Sequence, residues 1–210
     1  MGLATSAFAL DRGQLNNRIQ SITAKFTAME QNRATRVPPD QLARANGIIL
    51  LDRTKGALIF GYHYANGLAL VRSADGRWSP AGFVESSGAS LGPQIGGTKD
   101  FFVVLMMTPS AVQTLKQPAI DFGAKASETF GGEHAGAKVM TESHPVMVYS
   151  EHNGAFAGAS IRGGSVRVDK DANAAYYGHP VSMNGILFAH QVSRTPAEDA
   201  LIAKIDEFSR

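Results

Sequence analysis

Ser90 sits in Gly88-Ala89-Ser90-Leu91-Gly92, a letter-for-letter Gly-x-Ser-x-Gly. That pattern serves acyl transfer when it turns sharply from a strand into a helix, lifting the serine hydroxyl toward a histidine and an acid. Here Pro93 follows at once and the next element reads as a β run, so the context speaks against a Ser90 hydrolase, which stays as an alternative. The wider stretch "GASLGPQIGG" suggests a phosphate cradle. It lacks the Gly-Lys-Ser/Thr ending of a Walker loop and the Gly-x-Gly-x-x-Gly of a dinucleotide turn. Steps of four along a strand would instead put Gly88, Gly92 and Gly96 on one face. Such a row lets another backbone or a helix approach closely, or lets a sheet bend.

Asp169, Asp171 and Asn173 are spaced like the first oxygen ligands of a calcium loop. Ala174 occupies the position where an EF-hand needs glycine, and Pro180 the position of the bidentate glutamate, so an EF-hand is excluded. A looser calcium site on these three residues remains an expectation. The other role open to Asp169 or Asp171 is capping the short helix that ends in "AAYYG". The histidines are His63, His134, His144, His152, His179 and His190, and no two have the His-x-x-x-His spacing of a zinc site. The chain has no cysteine, which excludes disulfides, thiol catalysis and cysteine-ligated metals.

The remaining chemistry is charge. Net charge is only +2, so no nucleic-acid partner is expected. From Asp11 to Lys55, however, eight basic residues face four acidic ones. Leu15, Ile19, Ile22, Phe26 and Met29 recur at steps of four and three, one apolar helical stripe. With Arg18, Lys25, Arg33 and Arg36 around it, this has the composition of an interfacial helix on anionic lipid. The same stripe could simply dock on the body of the protein, and the sequence leaves both readings open.

The elements that must position these residues follow from pattern. After the first helix, Asp40 is expected to cap a short helix through Ala45, and Ile48 to Leu51 reads as a buried strand. Asn66-Gly67 and Asp75-Gly76 read as two-residue hairpin turns, which need positive φ at both central positions, and Trp78 as the start of a strand. "KDFFVVLMM" reads as a strand, followed by a Thr108-capped helix with Pro109 in its first position. Short strands are expected in "AIDFGAKASETFG" and "GAKVMTES", and a pair joined at Asn153-Gly154. A helix then ends at Gly178, and Thr195, Pro196 and Glu198 form a capping box for the last one. The fold class is therefore α+β: a glycine-rich antiparallel β body, barrel- or sandwich-like, with N-terminal helices and a C-terminal helix. Residues 1–10 read as a signal-peptide remnant or tag, since Ala7-Phe8-Ala9 has the form of a cleavage site; Gly2 and Ser6 also fit a myristoylation pattern. Residues 11–210 form one domain, with helices over 11–46, a mainly β part over 47–192 and the final helix over 195–210.

Three runs, "ANGIILLD", "GLALVRSADGRWSPAGFVESSGASLGPQIGGTKDFFVVLMM" and "AFAGASIRGGSVRVDKDANAAYYG", resemble the SYLF domain family of Ysc type over about residues 30–205. "GASLGPQIGG" and "DKDANAAYYG" are the most specific parts. The resemblance implies a non-enzymatic domain that binds membranes, especially phosphoinositides, through a basic amphipathic N-terminal segment, whose place here is taken by Leu15 to Met29 with Arg18 and Lys25. It also implies protein partners in some members, actin among them, so a protein-interaction or scaffold domain with an actin-like or cell-envelope partner is the alternative. A bacterial-type member is expected, and functions that SH3 or FYVE modules give to relatives are not carried over. The expected location is exported, periplasmic or secreted, or else peripheral on a membrane, with the cytoplasmic membrane surface as alternative. No cofactor is expected apart from the calcium of Asp169, Asp171 and Asn173.

Overall fold

The computed structural model describes residues 10–54, 64–87, 99–122, 146–151, 154–156 and 164–210. "GASLGPQIGG" with Ser90, residues 1–9, the strand expected in "GAKVMTES", Asn153 and His63, His134, His144 and His152 lie outside them. Among the described residues, eight strands form one antiparallel sheet: β1 Gly47–Thr54, β2 Tyr64–Val71, β3 Gly82–Ser87, β4 Lys99–Met106, β5 Ala119–Phe122, β6 Val146–Ser150, β7 Gly154–Phe156 and β8 Gly164–Val168. Their order is β5-β8-β3-β2-β1-β4-β6-β7. The α+β class and the antiparallel body stand as expected, the body being a half-barrel.

Both faces of the sheet are covered. Ile48, Leu50, Leu68, Phe83, Phe101 and Val103 belong to one apolar core, with the helices α1 Arg12–Gln31, α2 Pro39–Arg44 and α6 Pro196–Phe208. Their chain neighbours Ile49, Leu51, Ala69, Val84, Phe102 and Val104 belong to a second core. That core is closed by α3 Pro109–Gln113, its 3-10 continuation Thr114–Lys116, and α5 Met183–Leu187. Successive strand side chains point to opposite faces, so a sheet covered on both sides needs unbroken apolar runs, and "IILL", "LALV" and "FFVVLM" are such runs. The remaining helix, α4 Lys170–Tyr177, packs on α1 and β3 and ends at Gly178, whose φ of 79° is the left-handed conformation that favours glycine.

Several local expectations are corrected. Asn66-Gly67 is no turn: β2 runs straight through it, with Asn66 opposite Asp52 and Glu85, and Gly67 opposite Leu51 and Val84. Glycine is required there by close approach, since a Cβ would lie 2.5 Å from the Leu50 carbonyl oxygen. The Asp75-Gly76 hairpin forms, but only Gly76 has positive φ (84°), and the Gly76 N–H bonds to the Ser73 carbonyl at 2.9 Å. A turn of the common kind followed by one left-handed glycine needs no positive φ at Asp75. Trp78 makes a single bridge to Arg72, and β3 starts only at Gly82. Asp40 lies inside the first turn of α2, whose cap position is Pro38, with no side-chain cap bond. The Ser182-capped helix α5 falls within the part read as mainly β, because five residues, "MNGIL", are too short to show a helical period.

Candidate functional site

The basic N-terminal segment folds as one twenty-residue helix. Asp11 caps it, accepting from the Gln14 N–H at 2.8 Å, while the Gln14 side chain accepts from the Asp11 N–H at 3.3 Å. Leu15, Ile19, Ile22, Phe26 and Met29 are each at most 3 % exposed, so the whole stripe is docked in the core. Phe26 meets Phe208 of α6 edge to face, centroids 6.0 Å apart. Among the described residues, Leu10 is the exposed large hydrophobic side chain.

The four expected membrane-facing cations divide into two pairs. Arg18 donates to Asp169 at 3.3 Å, and its guanidinium lies 5.8 Å from the Phe83 ring centre. Lys25 is ion-paired with Asp52 of β1. Both therefore tie α1 to the molecule beneath it. Arg33 and Arg36 are exposed on the turn after α1, which closes with the Thr35 and Arg36 N–H groups on the Asn32 carbonyl. Arg44, exposed in the last turn of α2, continues the positive sequence.

That turn is pinned from inside. Val37 is fully buried, and its N–H donates to Glu30 Oε1 at 3.2 Å. Glu30 is itself only 4 % exposed. Burial raises its pKa to about 7, against the opposing pull of the Val37 hydrogen bond and of Arg36. Tyr149 of β6 is pushed up to about 12, by burial first and then by Asp40 and Glu30.

The three candidate calcium ligands do not converge. Asp169 is the N-cap of α4, accepting from the Ala172 N–H at 2.9 Å as well as from Arg18. Asn173 is fully buried; its amide donates to the Phe83 carbonyl at 3.0 Å and the Asp169 carbonyl at 2.8 Å, and accepts from the Phe83 N–H at 2.8 Å. Asp171 is exposed in the first turn. "DKDAN" is thus a latch joining α4, α1 and β3. Among the described residues no three His, Asp or Glu side chains gather as a metal would need.

Two further polar arrangements were not foreseen. Glu198, fully buried, completes its capping box by accepting from the Thr195 N–H at 2.6 Å. It also accepts from the Ala81 N–H at 2.7 Å and from the Tyr177 hydroxyl at 2.8 Å, locking α6 to α4 and the start of β3. Burial and then Glu198 push the Tyr177 hydroxyl well above the usual phenol range. Arg72 lies 4.4 Å from the Trp78 ring centre and donates to the Ala43 carbonyl, while the indole N–H donates to Asp206 at 3.2 Å. Only the capping-box half of the Glu198 arrangement had a sequence signal.

A protein-family model described as "Ysc84: Las17-binding protein actin regulator" matches residues 87–208. An SH3 domain-containing protein of Schizosaccharomyces pombe is 30 % identical over 171 residues, covering 79 % of this chain and 40 % of that protein. LAS seventeen-binding protein 3 of Saccharomyces cerevisiae is 28 % identical, covering 81 % of this chain and 38 % of its own length. The human SH3 domain-containing YSC84-like protein 1 is 25 % identical, covering 82 % and 52 %. The chain therefore spans about two fifths to one half of these relatives. All three are eukaryotic, and nothing in them supports a bacterial-type member or export. No helix among the described residues is long and apolar enough to cross a membrane.

Proposed function

Since the chain belongs to the Ysc84 family of Las17-binding actin regulators, we propose that it is a non-catalytic docking domain whose cationic turn meets an anionic membrane surface. The observation that carries this reading is the division of the basic residues: Arg33 and Arg36 are exposed, while Arg18 and Lys25 are ion-paired inward. With the stripe buried, attachment is electrostatic rather than inserting. Moving α1 into lipid would rebury its stripe but leave the sheet face beneath it, Leu50, Phe101 and Val103, turned to water. Each of those side chains represents about 1.5–3 kcal/mol of burial, more than the ~1 kcal/mol a cation gains near an anionic surface. Phosphoinositide headgroups fit the same cations and are the preferred lipid class of the proposal.

Sedimentation with anionic and neutral vesicles tests it. Anionic vesicles should pellet the chain and neutral ones should not, and reversing Arg33 and Arg36 to glutamate should cost at least about thirtyfold in affinity. Equal pelleting with both vesicle types, or binding indifferent to Arg33 and Arg36, would overturn it.

A second reading is a protein-interaction domain in actin regulation, favoured by the family description and by the yeast relative named for Las17 binding. Sedimentation with actin filaments in the absence of lipid, at full strength in the Arg33→Glu/Arg36→Glu variant, would support that reading in place of the first.

A further inference from the structure

The buried end of α1 and the exposed cationic turn share one hydrogen bond. Glu30 is the penultimate residue of α1, where the helix dipole already places negative charge. Its carboxyl group is the side-chain partner that holds the Val37 N–H, and Val37 closes the segment carrying Arg33 and Arg36. The Thr35 hydroxyl, itself buried, donates to the Met29 carbonyl at 3.4 Å, so the turn is fastened to the helix end on both sides of Arg36. The groups acting here are Arg36 on the turn, Tyr149 on β6 and, beyond Tyr149, Asp40 on α2.

From this geometry we infer that Glu30 is a proton-operated latch, and that the cationic turn docks on an anionic surface more strongly when Glu30 is protonated. The inference rests on the docking reading above and adds its regulation. An ionised Glu30 stands beside Arg36 and offsets its charge, so an anionic surface approaching Arg36 also meets the carboxylate. A neutral carboxyl keeps an oxygen for the Val37 N–H and leaves the charge of Arg36 undiminished. By linkage, docking then takes up a proton, and affinity declines as pH rises through the Glu30 pKa of about 7. Tyr149, at about 12, keeps its proton over that range.

Two measurements on the full chain test the latch. The first uses no ligand: the Val37 backbone amide, followed by NMR from about pH 5.5 to about pH 8.5, should titrate in the wild type and be flat in Glu30→Gln, which keeps the acceptor oxygen. A wild-type Val37 amide that does not titrate overturns the latch. The second measures binding to phosphatidylserine/phosphatidylcholine vesicles, whose headgroup charge is constant between about pH 6 and about pH 8. Wild-type affinity should be about twofold to fivefold higher at the lower pH, a one-unit rise of the Glu30 pKa on docking setting the upper figure, and Glu30→Gln should bind equally at both. The same pH dependence in both proteins overturns the coupling. No binding by either protein at either pH overturns it together with the docking reading, whereas a titrating Val37 amide beside pH-independent binding overturns the coupling alone.

Discussion

Glu30 is a carboxyl group whose folded pKa lies above its unfolded one, about 7 against an ordinary 4.5. The folded protein therefore holds a proton that the unfolded chain has already released between those values. Stability contributed by this group is full below about pH 4.5, falls as pH rises through the window, and levels off above about 7; the drop is on the order of 3 kcal/mol. Urea unfolding at several pH values should show this slope in the wild type and lose it in Glu30→Gln. Asn173 has the opposite character, buried, neutral and fully bonded. Asn173→Ala strands the Phe83 N–H, while the Phe83 carbonyl keeps the Asp169 N–H at 3.1 Å, and is expected to cost about 1–3 kcal/mol, read as a lowered denaturation midpoint. "DKDANAAYYG" showed its spacing in the sequence but not its use. The alternative that Asp169 caps the helix is the one the geometry bears out, because cap, ion pair and strand contacts occupy the oxygens that a calcium reading had left free.

At the scale of elements, α1 shows what pattern reading can and cannot decide. The steps of four and three located the helix and named all five stripe residues that turn out buried. They could not say whether the stripe met protein or lipid, because both are apolar solvents for the same side chains. Partner identity settles it: Arg18 meets Asp169 and Lys25 meets Asp52, residues 151 and 27 positions away, which no local pattern can connect. Charge reversal at Arg18 or Lys25 is accordingly expected to lower thermal stability while changing vesicle binding little. Reversal at Arg33 or Arg36 should do the reverse, and circular-dichroism melting beside vesicle sedimentation separates the two. Gly67 makes the companion point. Asn-Gly is a strong turn signal, yet strand pairing on both sides outweighs it, and the glycine is there for the Leu50 carbonyl. Gly67→Ala should destabilise by about 1–3 kcal/mol by forcing β1 and β2 apart, checked by the same unfolding curves.

For the whole molecule, the three layers were legible only in part. Unbroken apolar runs marked strands buried on both faces, and the Thr195 capping box marked the last helix before any fold was known. The second helical layer was legible at α3, through Thr108 and Pro109, but not at α5, which is one short turn. What the layers achieve is a rigid platform. The sheet is sealed on both faces, α1 is held by its stripe and two ion pairs, and the exposed cations of the α1–α2 turn stand at its margin. On the docking reading proposed above, a molecule built this way would meet an anionic surface without opening. Hydrogen exchange of the chain with and without anionic vesicles tests that most directly. The account predicts slowed exchange at residues 32–37 and unchanged protection across Arg12–Gln31; lost protection in the helix, or an unaltered turn, would contradict it.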